Sequence, residues 1–243
     1  MASEKLAQRQ KWSTTFEGKC GAMSNPAIDW DRLHENSRFR PRYPNDHVVR
    51  FLIANRAAVE NSATRRLLDI GAGAGRHMQL ASELGFEPYG IDTSVTGLQH
   101  AQQRFRSMQV QLRVIQASML ALPFAECSFG LILSFGVFYY GTANEMRHAI
   151  AEAHRVLAPG GRLFAVLRTT QDHRFGKGEQ LAAQTFRLKI TDTNEYDTVQ
   201  HFLAAEDIAV YFEEFSCVSF EKTETTSANR TRLDSDWLIT AQK

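Results

Sequence analysis

The sequence predicts an α/β protein with a seven-stranded, mostly parallel sheet, helices on both faces and an antiparallel hairpin near its C-terminal end. Three observations predict this fold. Short apolar runs alternate with helical patterns between residues 65 and 168, a glycine-rich turn follows the first run, and residues 216–242 contain two segments of alternating polarity. Strands that alternate with helices are typical of a parallel sheet covered on both faces, and alternating polarity is typical of hairpin strands.

The predicted elements follow one another in a regular order. Residues 45–59 have the first clear helical period, because their apolar side chains share one side of a helix and Pro44 precedes them. Apolar strands and helices then alternate. The strands are predicted at residues 65–70, 86–91, 111–116, 128–135 and 162–168. The helices are predicted at residues 75–85, 94–108 and 143–157.

The regular alternation of strands and helices ends at residue 168. Residues 169–180 are polar and are predicted to form a loop, and residues 185–190 are predicted to be a strand inserted at the edge of the sheet. Residues 204–215 have the composition of a helix. The hairpin follows at residues 216–224 and 236–242.

The N-terminal 44 residues differ from the rest of the chain. They are polar, and Trp12 and Trp30 stand isolated without a strong period. We therefore expect residues 1–44 to form a tail and a candidate lid, and residues 45–243 to form one domain. A chain of 243 residues is long enough for one such domain with a sizeable core.

The composition argues against several classes of function. A formal net charge of +1 argues against a general nucleic-acid clamp, which needs an excess of Lys and Arg. Cys20, Cys127 and Cys217 are too widely spaced for a disulfide framework or a CxxC metal pair, so we expect a reduced, cytoplasmic setting and no metal. We expect neither a secretory signal nor a membrane-spanning helix, because no apolar run is long enough. The oligomeric state is left open.

The stretch LLDIGAGAGRH, residues 67–77, carries the main functional signal. A glycine-rich turn between a strand and a helix lets a ligand approach the backbone and the free N–H groups of the helix. Gly71 and Gly73 fit the dinucleotide fingerprint GxGxxG, but Arg76 stands at its third glycine position. The turn alone is also compatible with a purely structural role.

Asp92 strengthens the case for a ligand. It ends the second predicted strand, about 20 residues after Gly71, where an acid accepts hydrogen bonds from a ribose. The alternative is that Asp92 caps the next helix, although Thr93 or Ser94 can take that role. Turn and acid together indicate an adenosine-type cofactor.

Four motifs in this order resemble the class I S-adenosylmethionine (SAM) methyltransferases, and specifically the small-molecule type 11 family with its Rossmann-like fold. They are LLDIGAGAGRH, PYGIDTS, ASMLALPFAECSFGLILS and HRVLAPGGRLF, and together they span roughly residues 65–168. The segment RFRPRYP, residues 38–44, resembles one that precedes the domain in this family. The chain departs from the pattern at Ser118 and Gly130, where the family usually has Asp.

The resemblance implies which residues hold SAM. Asp69 would orient the turn and face the SAM ammonium, and Asp92 would hold both ribose hydroxyls. Arg40 or Tyr43 would close over the SAM carboxylate. The other contacts are expected along the turn, beside the adenine and near the sulfonium, at Gly71, Ala72, Gly73, Thr93, Ser118, Met119, Ser134 and Phe135.

The acceptor is expected over the carboxyl ends of the fourth and fifth strands. Tyr139 and Tyr140 are placed to bind a ring or a sugar face, and Arg168 to meet an anionic group. His201 precedes the last predicted helix and is a candidate general base. Tyr139, His201 and Arg168 are therefore the predicted catalytic residues.

We expect a SAM-dependent methyltransferase that acts on a small molecule and releases S-adenosylhomocysteine. Methylation of oxygen is favoured over nitrogen, and a carbohydrate or secondary metabolite is the favoured acceptor class. Two alternatives stay open. One is a SAM-binding protein without turnover, and the other is a nicotinamide oxidoreductase, against which Arg76 in the turn argues.

Overall fold

The computed structural model of the protein describes residues 29–60, 65–108, 110–191 and 194–243. Its helices are α1 (Trp30–Glu35), α2 (Asp46–Glu60), α3 (Arg76–Glu83), α4 (Val95–Met108), α5 (Ala143–Val156) and α6 (Ile208–Tyr211). Its strands are β1 (Arg66–Ile70), β2 (Glu87–Asp92), β3 (Arg113–Gln116), β4 (Phe129–Phe135), β5 (Leu157–Arg168), β6 (Gly178–Ala182), β7 (Thr185–Leu188), β8 (Val199–His201), β9 (Cys217–Ser227) and β10 (Arg232–Gln242).

Among the described residues, seven strands form the main sheet in the order β3-β2-β1-β4-β5-β10-β9. β1 to β5 run parallel, and β10 pairs antiparallel with both β5 and β9. The predicted sheet and its C-terminal hairpin are confirmed. The strand order reverses between β1 and β4, and open α/β sheets bind ligands at such a point.

Both faces of the sheet are buried, as the apolar strands predict. Leu67 of β1 packs with Phe51 of α2 on one face, whereas its neighbour Leu68 packs with Met146 of α5 on the other. Adjacent residues of a strand point to opposite faces, so one apolar run supplies two cores. This burial holds the carboxyl ends of β1 and β4 in place beside each other.

Two expectations for the C-terminal part are wrong. Residues 185–190 do not join the edge of the main sheet, because β7 lies between β6 and β8 in a separate small sheet. Residues 204–215 do not form one helix. A 3-10 turn (Ala205–Asp207) leads into the single turn of α6, and the chain then bends so that Phe212 and Phe215 both enter the core.

The described part of the N-terminal segment is more ordered than its sequence indicates. It contains α1 and a 3-10 turn at Ser37–Phe39. Trp12 and Cys20 lie outside the described residues, and Cys127 and Cys217 are exposed free thiols. None of the helices that the structure describes has the length and apolar character to cross a membrane.

Candidate active site

The turn after β1 requires glycine. Gly71, Gly73 and Gly75 all have positive φ angles, of 76°, 51° and 77°. A Cβ atom on Gly71 would lie 2.3 Å from Cγ2 of Val137, which no side chain tolerates. The N–H groups of Gly71 and Ala72 both donate to the carbonyl of Ile91 at 2.9 Å. These bonds join the turn to the end of β2.

A cavity of about 420 Å³ opens at this turn. Its volume lies within the range of small-molecule sites. One end is bordered by the glycine turn, Asp92, Thr93 and Met119, and the other by Tyr139 and Tyr140, while Phe135 lines the cavity beside His77, with ring centres 5.3 Å apart. Residues of the N-terminal segment cover it. They are Trp30, His34, Arg38, Phe39, Arg40 and Pro41.

Asp92 faces the turn and does not act as the helix cap. Its Oδ2 accepts from the N–H of Gly73 at 2.8 Å, and its Oδ1 accepts from the N–H of Ser94 at 2.8 Å. Ser94 takes the capping role, because its Oγ accepts from the N–H of Gly97 at 2.9 Å. Burial raises the pKa of Asp92, and the two N–H donors oppose that effect. Each carboxylate oxygen keeps further acceptor capacity for a hydroxyl.

Asp69 and His77 form a buried pair beneath the turn. Their nearest atoms, Oδ2 of Asp69 and Nδ1 of His77, are 4.0 Å apart, too far for a hydrogen bond. Within the described part of the chain, that Oδ2 has no hydrogen-bond partner. Burial raises the pKa of Asp69 to about 7, and burial together with Arg76 lowers the pKa of His77 to about 3. A cation near Asp69 would favour its charged form.

Aromatic side chains form the far end of the cavity. The rings of Tyr139 and Tyr140 lie 4.6 Å apart, and Trp30 meets Tyr140 edge-on at 4.9 Å. Burial raises the pKa of Tyr139 to about 12, so its hydroxyl stays protonated at neutral pH. The guanidinium of Arg168 lies 4.4 Å from the centre of the Tyr139 ring, a cation–π distance.

An ion-pair network supports these tyrosines from behind. Oε1 of Glu195 accepts from the Tyr140 hydroxyl at 2.8 Å and from Arg168 at 2.6 Å, and its Oε2 accepts from Arg174 at 2.7 Å. Burial opposes ionisation of Glu195, but the two arginines lower its pKa to about 2. Arg174 also donates to Asp172, at 3.0 Å.

The same network includes the three described residues whose arrangement comes nearest to a metal site. Asp172, His173 and Asp234 place ligand atoms within 4.8 Å of one another. Arg174 donates to Asp172 at 3.0 Å and to Asp234 at 2.9 Å, so a cation already bridges the two carboxylates.

Comparison with known proteins identifies this architecture. Residues 67–161, from β1 into β5, match the family model of a methyltransferase domain. This stretch, about two fifths of the chain, is therefore similar to a methyltransferase domain. The seven-stranded, mostly parallel sheet and the glycine turn are those expected from the sequence.

Two relatives that match this part of the chain are named for different methyl acceptors. A demethylmenaquinone methyltransferase of Thermus thermophilus is 33% identical over 104 residues, 42% of this chain and 46% of that protein. A probable tRNA methyltransferase 9B of Mus musculus is 32% identical over 116 residues, 46% of this chain and 24% of that protein. The matches thus span less than half the length of either relative.

Solved structures share the fold of the methyltransferase domain. A SAM-dependent methyltransferase of Methanosarcina mazei superposes with a TM-score of 0.62 at 22% identity. The superposition covers 73% of this chain and 92% of that one. At this identity, the likeness shows the fold alone.

The residues of the methyltransferase domain fit SAM. The glycine turn borders the cavity at Gly71 and Gly73, which carry no side chain, Asp69 carries a buried oxygen without a hydrogen bond, and Asp92 borders the cavity. These features would suit a ligand backbone, an ammonium group and a ribose, respectively. They support a place for SAM between β1, β2 and β4.

The structure gathers most of the predicted cofactor residues around the cavity. Those that line it are Arg40, Gly71, Ala72, Gly73, Asp92, Thr93, Met119 and Phe135. Asp69, Ser118 and Ser134 are buried in the elements around it, with 1%, 7% and 0% of their surface exposed. Tyr43 is 73% exposed and is not among the lining residues, so Arg40 is the better placed of the two for the SAM carboxylate.

The structure does not bring the three predicted catalytic residues together at the cavity. Tyr139 lines the cavity, whereas Arg168 is buried behind it and contacts the ring of Tyr139. His201 lies in β8, outside the cavity lining. Its Nδ1 is 2.8 Å from Oγ1 of Thr185, and its Nε2 is 2.6 Å from the hydroxyl of Tyr211. Burial lowers the pKa of His201 to about 4, so its contacts are those of a neutral structural histidine.

Several lining residues lay outside the sequence-based set, and four of them carry polar or aromatic side chains of interest. They are Trp30, His34, His77 and Glu145. His77, near the start of α3, is buried, with only 5% of its surface exposed. The one sequence signal for Trp30 and His34 was the family-like segment that follows them, and it did not extend to either residue.

Proposed function

We propose that this protein transfers a methyl group from SAM to a planar, ring-containing small molecule. The aromatic end of the cavity carries the proposal. Trp30, Tyr139 and Tyr140 present ring surfaces there. Flat apolar surfaces of this kind bind a planar acceptor by stacking and edge-on contacts. They also suit the face of a sugar, so a carbohydrate is the second acceptor class.

The residues around the cavity account for binding and alignment. SAM, when bound, supplies a methyl group activated on a sulfonium. Asp92 and the glycine turn would hold the nucleoside and methionine parts, while the aromatic residues orient the acceptor and exclude water. Alignment of two reactants contributes about 7–11 kcal/mol in favourable cases. Much of the rate enhancement therefore needs no base.

The kind of atom that is methylated depends on which groups of the protein can remove a proton from the acceptor. Tyr139 holds its own proton at neutral pH, and His201 lies outside the cavity lining. An aliphatic hydroxyl would need a strong base, whereas a phenol or hydroquinone ionises readily. We therefore propose methylation at a ring hydroxyl, or at the ring carbon beside it, in preference to nitrogen.

The relatives support this proposal. The Thermus thermophilus relative is named for methylation of a demethylmenaquinone, a ring compound. The mouse relative is named for tRNA, but the net charge of +1 argues against nucleic acid as the acceptor here. The wide spacing of the three cysteines supports a cytoplasmic setting.

The test is to incubate the protein with SAM carrying a labelled methyl group and a panel of acceptors. The panel holds naphthohydroquinones, simple phenols, sugar nucleotides, primary amines and bulk tRNA. We expect labelled product with the ring hydroxyl compounds, and Tyr140→Ala should lose activity while Glu83→Ala keeps it. Transfer only to tRNA or only to amines would contradict the proposal. SAM binding without any product would favour the non-catalytic alternative, and NADH binding alone would favour the oxidoreductase.

A further inference from the structure

The N-terminal segment, residues 30–41, touches both ends of the cavity. His34 and Arg40 lie on the side of the glycine turn and Asp92, and Trp30 lies against Tyr140 at the aromatic end. One short segment thus contributes to the cofactor side and to the acceptor side. Its position decides whether both sides are covered.

Apolar burial contributes little to holding this segment in place, although Trp30 packs against Tyr140. α1 has six residues, all described, and none of them is buried. A helix of this length is not stable by itself in water. Its position must therefore come from specific contacts with the rest of the protein.

Asp31 makes the contacts that fasten α1. Its Oδ1 accepts from Oγ of Ser94 at 2.7 Å and from the N–H of Thr96 at 2.8 Å. Both donors belong to the N-terminus of α4, where free N–H groups and the helix dipole favour a negative charge. The hydrogen bonds from Thr96 and Ser94 lower the pKa of Asp31, so the carboxylate is charged at neutral pH.

The rest of the segment lies along α4. The His34 ring packs on Gly73 and Gly97, since a Cβ atom on either glycine would lie 3.0 Å from a ring carbon. Arg40 Nη1 lies 2.6 Å from Nε2 of His100, and Arg104 donates to the carbonyl of Arg42 at 3.0 Å. Gly97, His100 and Arg104 are spaced so that they share one face of α4. α4 is therefore the support for the whole segment.

We propose that Asp31 is a positioning residue, whose contact with the α4 N-terminus holds residues 30–41 over the cavity and makes Trp30 a specificity-determining residue for the acceptor. The inference rests on the proposed function, because it assigns Trp30 to the acceptor end of the same cavity. With Asp31 bound to α4, Trp30 stands at 84° to the Tyr140 ring and narrows the space for a planar acceptor. Without that contact, His34 and Arg40 on the cofactor side and Trp30 on the acceptor side move away from the cavity together.

The test compares Asp31→Ala and Asp31→Asn with the wild type and with Asp46→Ala, which removes an exposed acid of α2 that forms an ion pair with Arg50 at the surface. The first readout is the affinity for S-adenosylhomocysteine by calorimetry. We expect Asp31→Ala to bind about tenfold more weakly, because charge-assisted hydrogen bonds are lost. Asp31→Asn, which keeps an oxygen acceptor, should recover part of the affinity, and Asp46→Ala should match the wild type.

The second readout is the fluorescence of Trp30, taken as the difference between each protein and its Trp30→Phe counterpart. We expect this emission to shift to longer wavelength in Asp31→Ala and to stay unchanged in Asp46→Ala. Equal affinity and equal Trp30 emission in wild type and Asp31→Ala would overturn the inference. A wild type that binds no S-adenosylhomocysteine would instead overturn the proposed function.

Discussion

At the scale of single residues, Asp92 has the clearest expected effect. Asp92→Ala removes an acidic acceptor at the nucleoside end of the cavity. We expect it to weaken S-adenosylhomocysteine binding more than tenfold, since hydrogen bonds to a charged group contribute about 1.5–3 kcal/mol. Calorimetry measures the affinity, and circular dichroism checks the fold. The control is Glu83→Ala on the exposed side of α3. An unchanged affinity in folded Asp92→Ala would remove Asp92 from the cofactor site.

Asp69 gives a second prediction at this scale, in pH dependence. Its pKa of about 7 lies above the ordinary 3.8, so the folded protein without ligand holds an extra proton between those values. Stability from this group is therefore full below pH 3.8 and falls as the pH rises towards about 7. A ligand ammonium beside Asp69 would favour the charged form and release that proton.

Calorimetry in two buffers of different ionisation enthalpy measures this release. We expect S-adenosylhomocysteine to displace up to one proton at about pH 6 and almost none at about pH 8.5. Asp69→Asn should abolish the release. If the wild type releases no proton at either pH, the ammonium does not lie beside Asp69.

At the scale of secondary-structure elements, the network at the end of β5 joins the main sheet to the loop between β7 and β8. Arg168 and Glu195 form its buried pair, with 8% and 16% of their side chains exposed. Arg168→Met removes one of the two arginines that neutralise the buried charge of Glu195. We expect the free energy of unfolding to fall by about 3–5 kcal/mol. Adding Glu195→Gln should recover part of that loss, because the uncompensated charge is removed.

Urea denaturation of the two single variants and the double variant measures this coupling. Affinity for S-adenosylhomocysteine should change less than about twofold in Arg168→Met, because the pair lies behind the acceptor end. Losses of stability that simply add would show that the pair is not coupled. The pair should persist at any pH well above 2, since the pKa of Glu195 is about 2 and its stabilising effect is lost only as the pH falls through that value.

At the scale of the whole molecule, ligand binding should raise the melting temperature. A ligand at a hundred times its dissociation constant stabilises the folded state by about 2.7 kcal/mol. For a chain of 243 residues this corresponds to a rise of roughly 5–10 °C. We expect the rise with SAM and S-adenosylhomocysteine in a thermal scan and none with NADH. A rise with NADH alone would contradict the assignment of the cofactor.

The same scale shows which features the sequence can predict. β1, β2 and β4 are predictable because their patterns are local and apolar, and the hairpin is predictable because the polarity of its residues alternates. β6 was missed because all its residues are exposed, which leaves no apolar pattern to detect. α1 was missed because none of its residues is buried, and the contacts of Asp31 join residues more than 60 positions apart. The contacts of Trp30 with Tyr140 and of His34 with Gly73 and Gly97 likewise join residues far apart in the sequence.

The absence of a buried residue in α1 also bears on heat inactivation. An element attached by a few partly buried hydrogen bonds detaches at a lower free energy than a buried sheet, so it is released while the sheet is still folded. Methyl transfer should then decline on warming before circular dichroism records any loss of structure. The decline should reverse on cooling, because only the cover of the cavity has moved.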